Sequence, residues 1–411
     1  MSWRERLGRN WGRLGMRFNI WKDCPKVPIT ELLSFIVDNR GKTVPTADDG
    51  WKLIATNCVT NNTLFPVYEK VRYLTQETYE TWFRAHPMPG DILFVNKGTP
   101  GRVCLVPDPV DFCIAQDMIA LRADDEKIYN KYLFAVLRSR EIQQQIYNTN
   151  VGDVIPHFKK QFMDQLLIPV PDRRIQEIIG NLYYELSYKT ELNKKINKNL
   201  EQQAKALYKN WFFDFSPFSS DGNLPDGWHL GNVGDIIQLH DSKRVPLSGA
   251  ERDKMAKVYP YYGAASRMDY VDSYLFDGIY LLLGEDGTVV DSLGFPILQY
   301  VYGQFWVNNH AHIITGKEGF SVEELYLLFS LTNIKSIVTG AVQQKVSQQN
   351  LKKVPAIIPS KEALDAFDEI IQPVFTQIRN LRDENANLAI LRDTLLPKLM
   401  SGELDVSDIN L

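Results

Sequence analysis

The sequence predicts an α+β protein made of two tandem domains, each mostly β and each followed by a long helix. The first observation is an internal repeat, in which residues 151–212 align without a gap with residues 339–400 at a constant offset of 188 positions. Each stretch has a glycine turn, a polar segment, an apolar segment with a proline, and a long helical run. The second observation is that turn-rich regions with many β-branched and aromatic residues precede these stretches. The repeat implies a pseudo-two-fold relation between the halves.

Short apolar runs between glycine turns indicate that both globular regions are mostly β. Such runs occupy residues 91–95 and 279–283. Similarities further upstream occur at changing offsets, so we expect insertions and deletions inside the domains. The predicted divisions are a basic N-terminal arm (1–25), a first globular domain (26–171), a first long helix (172–212), a linker (213–227), a second globular domain (228–359), a second long helix (360–400) and a tail (401–411).

Both long runs place their seam residues at alternating spacings of three and four, the pattern of a coiled coil. The more apolar second seam passes from Leu364 to Leu399. We expect the two helices to pair antiparallel. An asparagine in a seam costs stability but fixes register, so matching positions in the two runs are predicted to set register or to dock a partner. These positions are Asn197, Leu200, Leu207, Trp211, Asn385, Leu388 and Leu395.

Prolines mark the expected limits of both helices. Pro171 and Pro359 precede the two runs, as suits a helix start. Pro373 lies inside the second run and is expected to kink it, and Pro397 is expected to end it. At 1.5 Å per residue, each run is about 55 Å long.

Composition excludes some classes of protein and leaves DNA binding open. A net charge of −4 argues weakly against nucleic acid, yet residues 1–26 carry seven basic and two acidic side chains. DNA affinity depends on local basic surface rather than on total charge. Four cysteines without metal-binding spacing favour a reducing cytoplasm, and the chain lacks an apolar run long enough for a membrane span.

Motifs of catalysis or cofactor binding are not found in the sequence. The segment RGKT at residues 40–43 lacks the upstream glycine of a phosphate-binding loop. Two histidines at positions 310 and 312 have no third metal ligand nearby in sequence. A glycine fingerprint after a strand, as in a dinucleotide or methyl-donor site, is also missing. We therefore expect a chain without catalytic residues, metal or cofactor of its own.

Several ordered segments resemble the specificity subunits of type I restriction-modification systems. ELNKKINKNLEQQAKALYKNWF (191–212) is similar to the central conserved region of that family, and LLPKLMSGELDV (395–406) is similar to its C-terminal end. LPDGWHLGNVGDII (224–237) resembles the opening of a second target-recognition domain. The resemblance extends over nearly the whole chain from about Lys26, and the first 25 residues depart from it.

The resemblance implies a non-catalytic, cytoplasmic DNA-binding subunit. Each globular domain would read one half of a bipartite, asymmetric target in double-stranded DNA. The paired helices would act as a ruler and would dock two modification subunits, which use S-adenosylmethionine to methylate adenine. Two restriction subunits, when present, would supply translocation and cleavage driven by ATP and Mg²⁺.

Base reading needs arginine or lysine for guanine and asparagine or glutamine for adenine, whereas phosphates are contacted by basic side chains and by amides at glycine turns. Polar loops supply such groups in both domains. In the first domain the predicted DNA-binding residues are Lys42, Thr43, Asn57, Lys97, Thr99, Arg102, Gln116, Lys159 and Lys160. In the second domain they are Arg244, Tyr261, Tyr262, Arg267, Asp286, Asn309, His310, Gln343 and Lys345.

Lys97 and Arg102 are favoured in the first domain because glycines flank them, and Arg244 and Arg267 are favoured in the second. Each loop also has a simpler interpretation as a solvated turn. Tyr261 and Tyr262 are equally compatible with a sugar-phosphate wall and with the core. For the whole chain, the alternatives are a coiled-coil adaptor whose domains bind protein or carbohydrate, and a self-contained nuclease or methyltransferase.

Overall fold

The computed structural model describes residues 19–39, 41, 43–114, 116–149, 156–219, 221–340 and 343–404. The chain divides into two compact units. One comprises Met1–Lys194 with Arg382–Leu411, and the other comprises Lys195–Leu381. Because the divisions fall inside the two long helices, each unit contains one globular domain and part of both helices. Residues 1–18 of the predicted N-terminal arm lie outside the described residues.

The first globular domain contains nine strands and four α-helices among the described residues. These elements are α1 Ile20–Asp23, β1 Lys26–Pro28, β2 Leu33–Val37, β3 Trp51–Ile54, β4 Arg72–Leu74, α2 Gln76–Thr81, β5 Ile92–Val95, β6 Val103–Leu105, β7 Phe112–Ile114, β8 Met118–Ala123, α3 Asn130–Leu137, α4 Arg140–Thr149 and β9 Leu167–Pro169. The domain is built on a four-stranded antiparallel sheet in the order β2-β8-β5-β6. A three-stranded sheet, β4-β3-β7, and the pair β1-β9 complete its strands.

Strand β5 is apolar at every position because it separates two hydrophobic cores. Ile92 and Phe94 belong to the core that packs on α3, whereas Leu93 and Val95 belong to the core shared with β7. Successive side chains of a strand point to opposite faces, so a strand covered on both faces reads as one continuous apolar run. This burial fixes the end of β5 and the loop that follows it.

The second globular domain also combines strands with short helices. Its elements are β10 His229–Asn232, α6 Val233–Ile236, β11 Ile237–Leu239, α7 Gly249–Arg252, β12 Tyr259–Tyr262, β13 Arg267–Val271, β14 Phe276–Gly284, β15 Asp286–Gly287, β16 Leu298–Val307, β17 Ala311–Gly316, α8 Val322–Leu331, β18 Gln344–Lys345, α9 Gln348–Lys352 and β19 Pro355–Ile358. The domain has one six-stranded sheet in the order β11-β17-β14-β16-β12-β13, whose pairs are antiparallel except β12 with β16. The pairs β10-β19 and β15-β18 lie outside this sheet.

The two long helices are α5, Arg173–Phe212, and α10, Lys361–Met400, each with 40 residues. The expectation that Pro397 ends the second helix is wrong, since α10 continues to Met400. A proline costs one backbone hydrogen bond and a steric clash with the preceding turn. Burial of Leu396, Leu399 and Met400 in the core of the first unit stabilises the helix beyond that point. Among the described residues, no helix is long and apolar enough to cross a bilayer.

The helices run antiparallel in the first unit. Asn193 of α5 donates hydrogen bonds to Glu384 and Asn385 of α10, at 2.8 and 3.0 Å. Towards the start of α5, the ring of Tyr183 lies 5.8 Å from the guanidinium of Arg392. Moving back along α5 therefore means moving forward along α10.

The helices also run antiparallel in the second unit. Asn197 of α5 donates to the main-chain oxygen of Ile378 of α10 at 3.5 Å. Further along α5, the rings of Tyr208 and Phe212 lie 5.4 and 5.0 Å from the ring of Phe367, which comes before Ile378 in α10. Phe367 is fully buried. Together with the sheets and long helices, this pairing confirms the predicted α+β class.

Glu324 is a buried acid in the second unit. One carboxylate oxygen accepts from the main-chain nitrogen of Ser321 at 2.8 Å, whereas the other has no hydrogen-bond partner among the described residues. Burial raises the pKa of Glu324 from its ordinary value of 4.5 to about 8. The folded state therefore binds the proton of Glu324 more tightly than the unfolded state does. The stabilisation that results is complete below pH 4.5 and is lost as the pH rises through about 8.

We predict that Glu324→Gln makes the free energy of unfolding less dependent on pH between 4.5 and 8. At the upper end of this pH range, the free energy of unfolding of the variant should exceed that of the unaltered protein by an amount on the order of 3 kcal/mol. The reason is that glutamine keeps the side-chain oxygen but cannot ionise. Urea unfolding across this pH range measures the effect. Glu369→Gln, at an exposed position of α10, is the control and should retain the original slope. Identical slopes for both variants would contradict the prediction.

Candidate nucleic-acid interface

In the first domain, the polar segment before α5 pairs with the loop after β5. Lys97 and His157 form an isolated antiparallel bridge. The main-chain nitrogen of Phe158 donates to the oxygen of Asn96 at 2.8 Å, and that of Gly98 donates to the oxygen of Pro156 at 3.0 Å. Because Phe158 is fully buried, this pairing is anchored in the core.

The residue that follows β2 joins the same place. Lys160 lies 3.2 Å from the carboxylate of Asp38. Asp38, residues 96–98 and residues 156–160 thus form one structure, named here the helix-entry corner of the first domain. A cleft of about 410 Å³ opens beside it, lined by Asp38, Gly41, Arg84, Asn96, Lys97, Gln116, Asp117 and His157.

The second domain builds the same corner from different residues. Strands β15 and β18 pair Asp286 with Lys345, and the main-chain nitrogen of Val346 donates to the oxygen of Glu285 at 2.8 Å. Val346 is fully buried and stands 188 positions after Phe158, the offset of the sequence repeat. The backbone pairing seen in the first domain is therefore repeated.

The carboxylate of this second corner comes from Asp241. Gln348 donates to it at 2.6 Å, and Gln348 stands 188 positions after Lys160, which contacts Asp38 in the first domain. Asp241, residues 285–287 and residues 345–348 are the helix-entry corner of the second domain. In both domains an acid placed after the first strand of the main sheet holds the segment that leads into the long helix.

Arg244 lies inside the second corner. Its guanidinium donates to the carboxylate of Glu285 at 2.6 Å and to the main-chain oxygen of Ala311 at 2.7 Å, and its side chain is 13% exposed. These hydrogen bonds turn Arg244 towards the protein, where it stabilises the loops. The DNA contact predicted for this arginine stays a prediction, and it requires these internal bonds to open.

His312 completes the buried network. Its Nδ1 lies 2.6 Å from the carboxylate of Asp241, and its Nε2 lies 2.8 Å from the main-chain oxygen of Val346. Burial acts to raise the pKa of Asp241, but hydrogen bonds from His312 and Ile313 and the charge of Arg244 outweigh it, so that the pKa lies below its ordinary value. The carboxylate is therefore charged at neutral pH.

Asp241, Glu285 and His312 bring three potential metal-ligand atoms within 4.8 Å of one another. The cation beside them is Arg244, which bonds Glu285 directly and lies 3.6 Å from Asp241. A metal ion would have to displace this guanidinium and break the bonds of His312. His310 belongs to a separate pair with Asp286, so the two histidines have different partners.

The remaining residues predicted in the first domain are mostly at the surface. Asn57 lies in another loop, where it donates to the main-chain oxygen of Glu69 at 2.5 Å. Lys97 and Gln116 line the cleft of the helix-entry corner. The exposed residues are Thr43, Asn57, Lys97, Arg102, Gln116, Lys159 and Lys160, and Thr99 is half-buried. Lys42 lies outside the described residues.

In the second domain, the structure separates the two tyrosines. Tyr261 is buried, and its hydroxyl accepts from the main-chain nitrogen of Leu247 at 3.0 Å, so this side chain is part of the core. Tyr262 is half-buried against Phe305, with ring centroids 5.9 Å apart. Arg267 is exposed and lies 4.7 Å from the ring of Tyr270.

Exposed amides surround the second corner. Asn309 and Gln343 are exposed, and His310 is half-buried beside Asp286. Lys345 is exposed and lies 3.8 Å from Glu285. Together with Arg244, six of the residues predicted in this domain therefore lie in or beside one corner, although they come from four separate segments of the chain.

The predicted register residues lie along the two helices. Asn197 is buried and bonds Ile378, and Asn385 accepts the hydrogen bond from Asn193. Leu200, Leu207 and Trp211 pack on the core of the second unit, and Leu395 packs on the core of the first. Leu388 is half-buried. Sequence reasoning did not single out Asn193, although it occupies the seam four residues before Asn197.

Several important residues of the corners carry no motif. Asp38, Asp241 and Gln348 hold the segments together, and Arg84 lines the cleft, yet each stands in an ordinary polar stretch. The constant offset could have related Gln348 to Lys160. Nothing local in the sequence indicates Arg84, which enters the cleft from the segment after α2.

We predict that Asp241→Asn destabilises the protein by about 3–5 kcal/mol, because it removes the charged partner of His312 and Arg244 inside the fold. Urea unfolding of the variant measures this loss. Asp253→Asn, at an exposed position of the same domain, is the matched control and should change the free energy of unfolding little. Equal effects of the two substitutions would mean that the network contributes nothing to stability.

The comparisons with known proteins agree with this architecture. The family model described as type I restriction modification DNA specificity domain matches residues 28–202 and 225–389, one copy on each half of the repeat. The chain is 24% identical over 343 residues to the MjaIX specificity subunit of Methanocaldococcus jannaschii, covering 78% of this chain and 79% of that protein. It is 23% identical over 398 residues to the HindI specificity subunit of Haemophilus influenzae, covering 77% and 86%.

A solved structure shares the fold. The crystal structure of the type I restriction-modification S subunit from M. genitalium aligns with a TM-score of 0.56 at 17% identity, covering 94% of this chain and 98% of that one. The two copies of the family model together span well over half of the chain. The chain therefore belongs to the family of type I restriction-modification DNA specificity subunits.

Proposed function

We propose that each globular domain reads one half of a bipartite, asymmetric target in double-stranded DNA, and that the paired helices set the spacer between the halves. The observation that carries this proposal is the helix-entry corner, which is built twice on the same backbone pairing. Each corner gathers polar loops at the point where a domain joins its long helix. Duplex DNA has two-fold axes of its own, so a repeated reading surface suits two half-sites.

The asymmetry of the target follows from the different side chains on the two corners. The first exposes Lys97, Gln116 and Lys159, whereas the second exposes Asn309, Gln343 and Lys345. Amino groups and amides present different patterns of hydrogen-bond donors and acceptors to base edges in the major groove, and the two corners carry them in different numbers and positions. Two corners with the same backbone and different side chains are therefore suited to two different sequences.

In this proposal the two long helices set the length of the spacer. At 1.5 Å per residue, α5 and α10 are each about 60 Å long, comparable to the rise of roughly 18 base pairs. Their pairing is antiparallel within each unit, and each helix is one uninterrupted element of 40 residues. Helix length then determines how many base pairs remain unread.

Exposed apolar side chains on the helices support docking of modification subunits. Tyr188 and Leu192 of α5, and Ile390 and Leu391 of α10, are at least 40% exposed in the first unit. Side chains of this type are costly to leave in water and favourable to bury in an interface.

In the proposed complex, two modification subunits bind S-adenosylmethionine and methylate the DNA, and two restriction subunits use ATP and Mg²⁺ when present. This chain contributes recognition, and the chemistry belongs to its partners.

Inserting one heptad at facing positions of α5 and α10 should lengthen the unread spacer by about three base pairs, because seven residues add about 10 Å. Methylation sequencing of cells that carry the variant with its modification subunits measures the spacer. A heptad in α5 alone is the control, and it should abolish methylation by shifting one seam against the other. If the variant with a heptad in both helices has an unchanged spacer, the helices do not set the spacer length.

Alanine at Lys97, Arg102 and Arg267 should weaken binding to all duplex sequences and should reduce the slope of log affinity against log salt by about one per lost phosphate contact. Titration of labelled duplex at several salt concentrations gives both quantities. Lys361→Ala, at the exposed start of α10, is the control. If affinity and slope match those of the unaltered protein, these residues do not contact phosphates.

A further inference from the structure

Arg84 of the first domain is an exposed cation that lines the cleft of the helix-entry corner. Its Nη1 donates to the main-chain oxygen of Asp38 at 3.4 Å, the one hydrogen bond from this guanidinium to the residues that the structure describes. A guanidinium has five N–H groups in a planar fork. Most of its donors are therefore available to a ligand in the cleft.

Hydrogen bonds to the side chain of Asn39 hold the backbone around Arg84 in place. Asn39 is buried, and its side-chain oxygen accepts from the main-chain nitrogens of Arg84 and Ala85 at 3.0 and 3.4 Å. The amide of Asn39 donates to the oxygen of Ala85 at 2.9 Å. These three bonds join the segment after α2 to the segment after β2. A side chain presented from a rigid backbone loses less entropy on binding than one on a mobile loop.

Gly41 keeps the approach to this arginine open. Its φ is +121°, a conformation that favours glycine, and a Cβ at this position would lie 3.7 Å from Nη2 of Arg84. A larger residue would narrow this side of the cleft. The guanidinium can therefore meet a flat ligand edge beside Gly41.

The charges in the cleft favour a base edge over a phosphate. Asp38 and Asp117 line it together with Arg84 and Lys97, and Asp38 is also paired with Lys160. The carboxylates disfavour a phosphate placed beside them, whereas a base edge is neutral and offers both donors and acceptors. The arginine fork matches the O6 and N7 acceptors of guanine, the pairing that reads this base in the major groove.

We propose that Arg84 is a specificity-determining residue of the first domain, which reads a guanine in one half of the DNA target. The inference rests on the function proposed above and assigns a base to one of its two reading surfaces. At the second corner the arginine, Arg244, is turned inward, and the exposed side chains there include Lys345 and the amides Asn309 and Gln343, none of which has the planar fork of Arg84. The guanine contact thus belongs to the half-site of the first domain.

The test uses the full chain assembled with its modification subunits. Methylation sequencing first gives the target of the unaltered complex. Binding is then measured by competition with duplexes in which each base pair of the target is changed singly. For the unaltered complex, changing the guanine that Arg84 reads should weaken binding about tenfold or more. With Arg84→Ala or Arg84→Met, that penalty should fall to about twofold or less, while the penalties at other positions persist.

The control is Arg72→Ala, which removes an exposed arginine of the same domain that does not line the cleft, and it should keep every penalty. Penalties retained in the other half-site show that an Arg84 variant is folded and assembled. Equal weakening on all duplexes would make Arg84 a phosphate contact and overturn the proposal, as would an unchanged pattern of penalties. If the unaltered complex methylates no bipartite target, the proposed function itself fails.

Discussion

The main-chain pairing between the segment before each long helix and the loop after the central strand is the constraint on which the rest of the structure depends. Phe158 donates to Asn96 in the first domain and Val346 donates to Glu285 in the second, both at 2.8 Å. Both donor residues are fully buried, so water cannot replace these bonds without opening the core. Each long helix therefore begins at a fixed position relative to the polar loops of its own domain.

Different side chains reinforce this pairing in the two domains. The main-chain oxygen of Phe158 accepts from Asn96, whereas that of Val346 faces Nε2 of His312. The acid after the first strand of the main sheet meets a lysine in one domain and Gln348 in the other. The backbone geometry is kept while the chemistry of the loops changes. The proposed reading of two different half-sites requires this combination.

The helix pair combines apolar ends with a polar middle. Phe367 joins an aromatic cluster in the second unit, and Leu399 lies in the core of the first. Between these positions, Asn193 and Asn197 are buried, and the side-chain oxygen of each lacks a hydrogen-bond partner among the described residues. Such groups cost stability, so the apolar positions supply the stability of the pair. That the asparagines set its register stays a prediction.

The sequence by itself determined the repeat and the α+β class, because periodicity and a constant offset can be read along the chain. The expected ranges of the long helices, 172–212 and 360–400, differ by one residue at their starts from Arg173–Phe212 and Lys361–Met400, but the proline rule placed the end of the second helix too early, at Pro397. The sequence also indicated polar, glycine-containing loops in both halves, but not which of them meet in space.

Only the tertiary structure decided which polar side chains are free to act. Arg244 is bonded to Glu285, 41 positions away, and Tyr261 is enclosed by the core, whereas Arg84 stays exposed because Asn39, 45 positions away, holds its backbone at the cleft. Periodicity shows how a residue is spaced along its own element but not which distant residue it meets. Hydrogen bonds and burial depend on those distant contacts, so the roles of individual side chains follow from the fold.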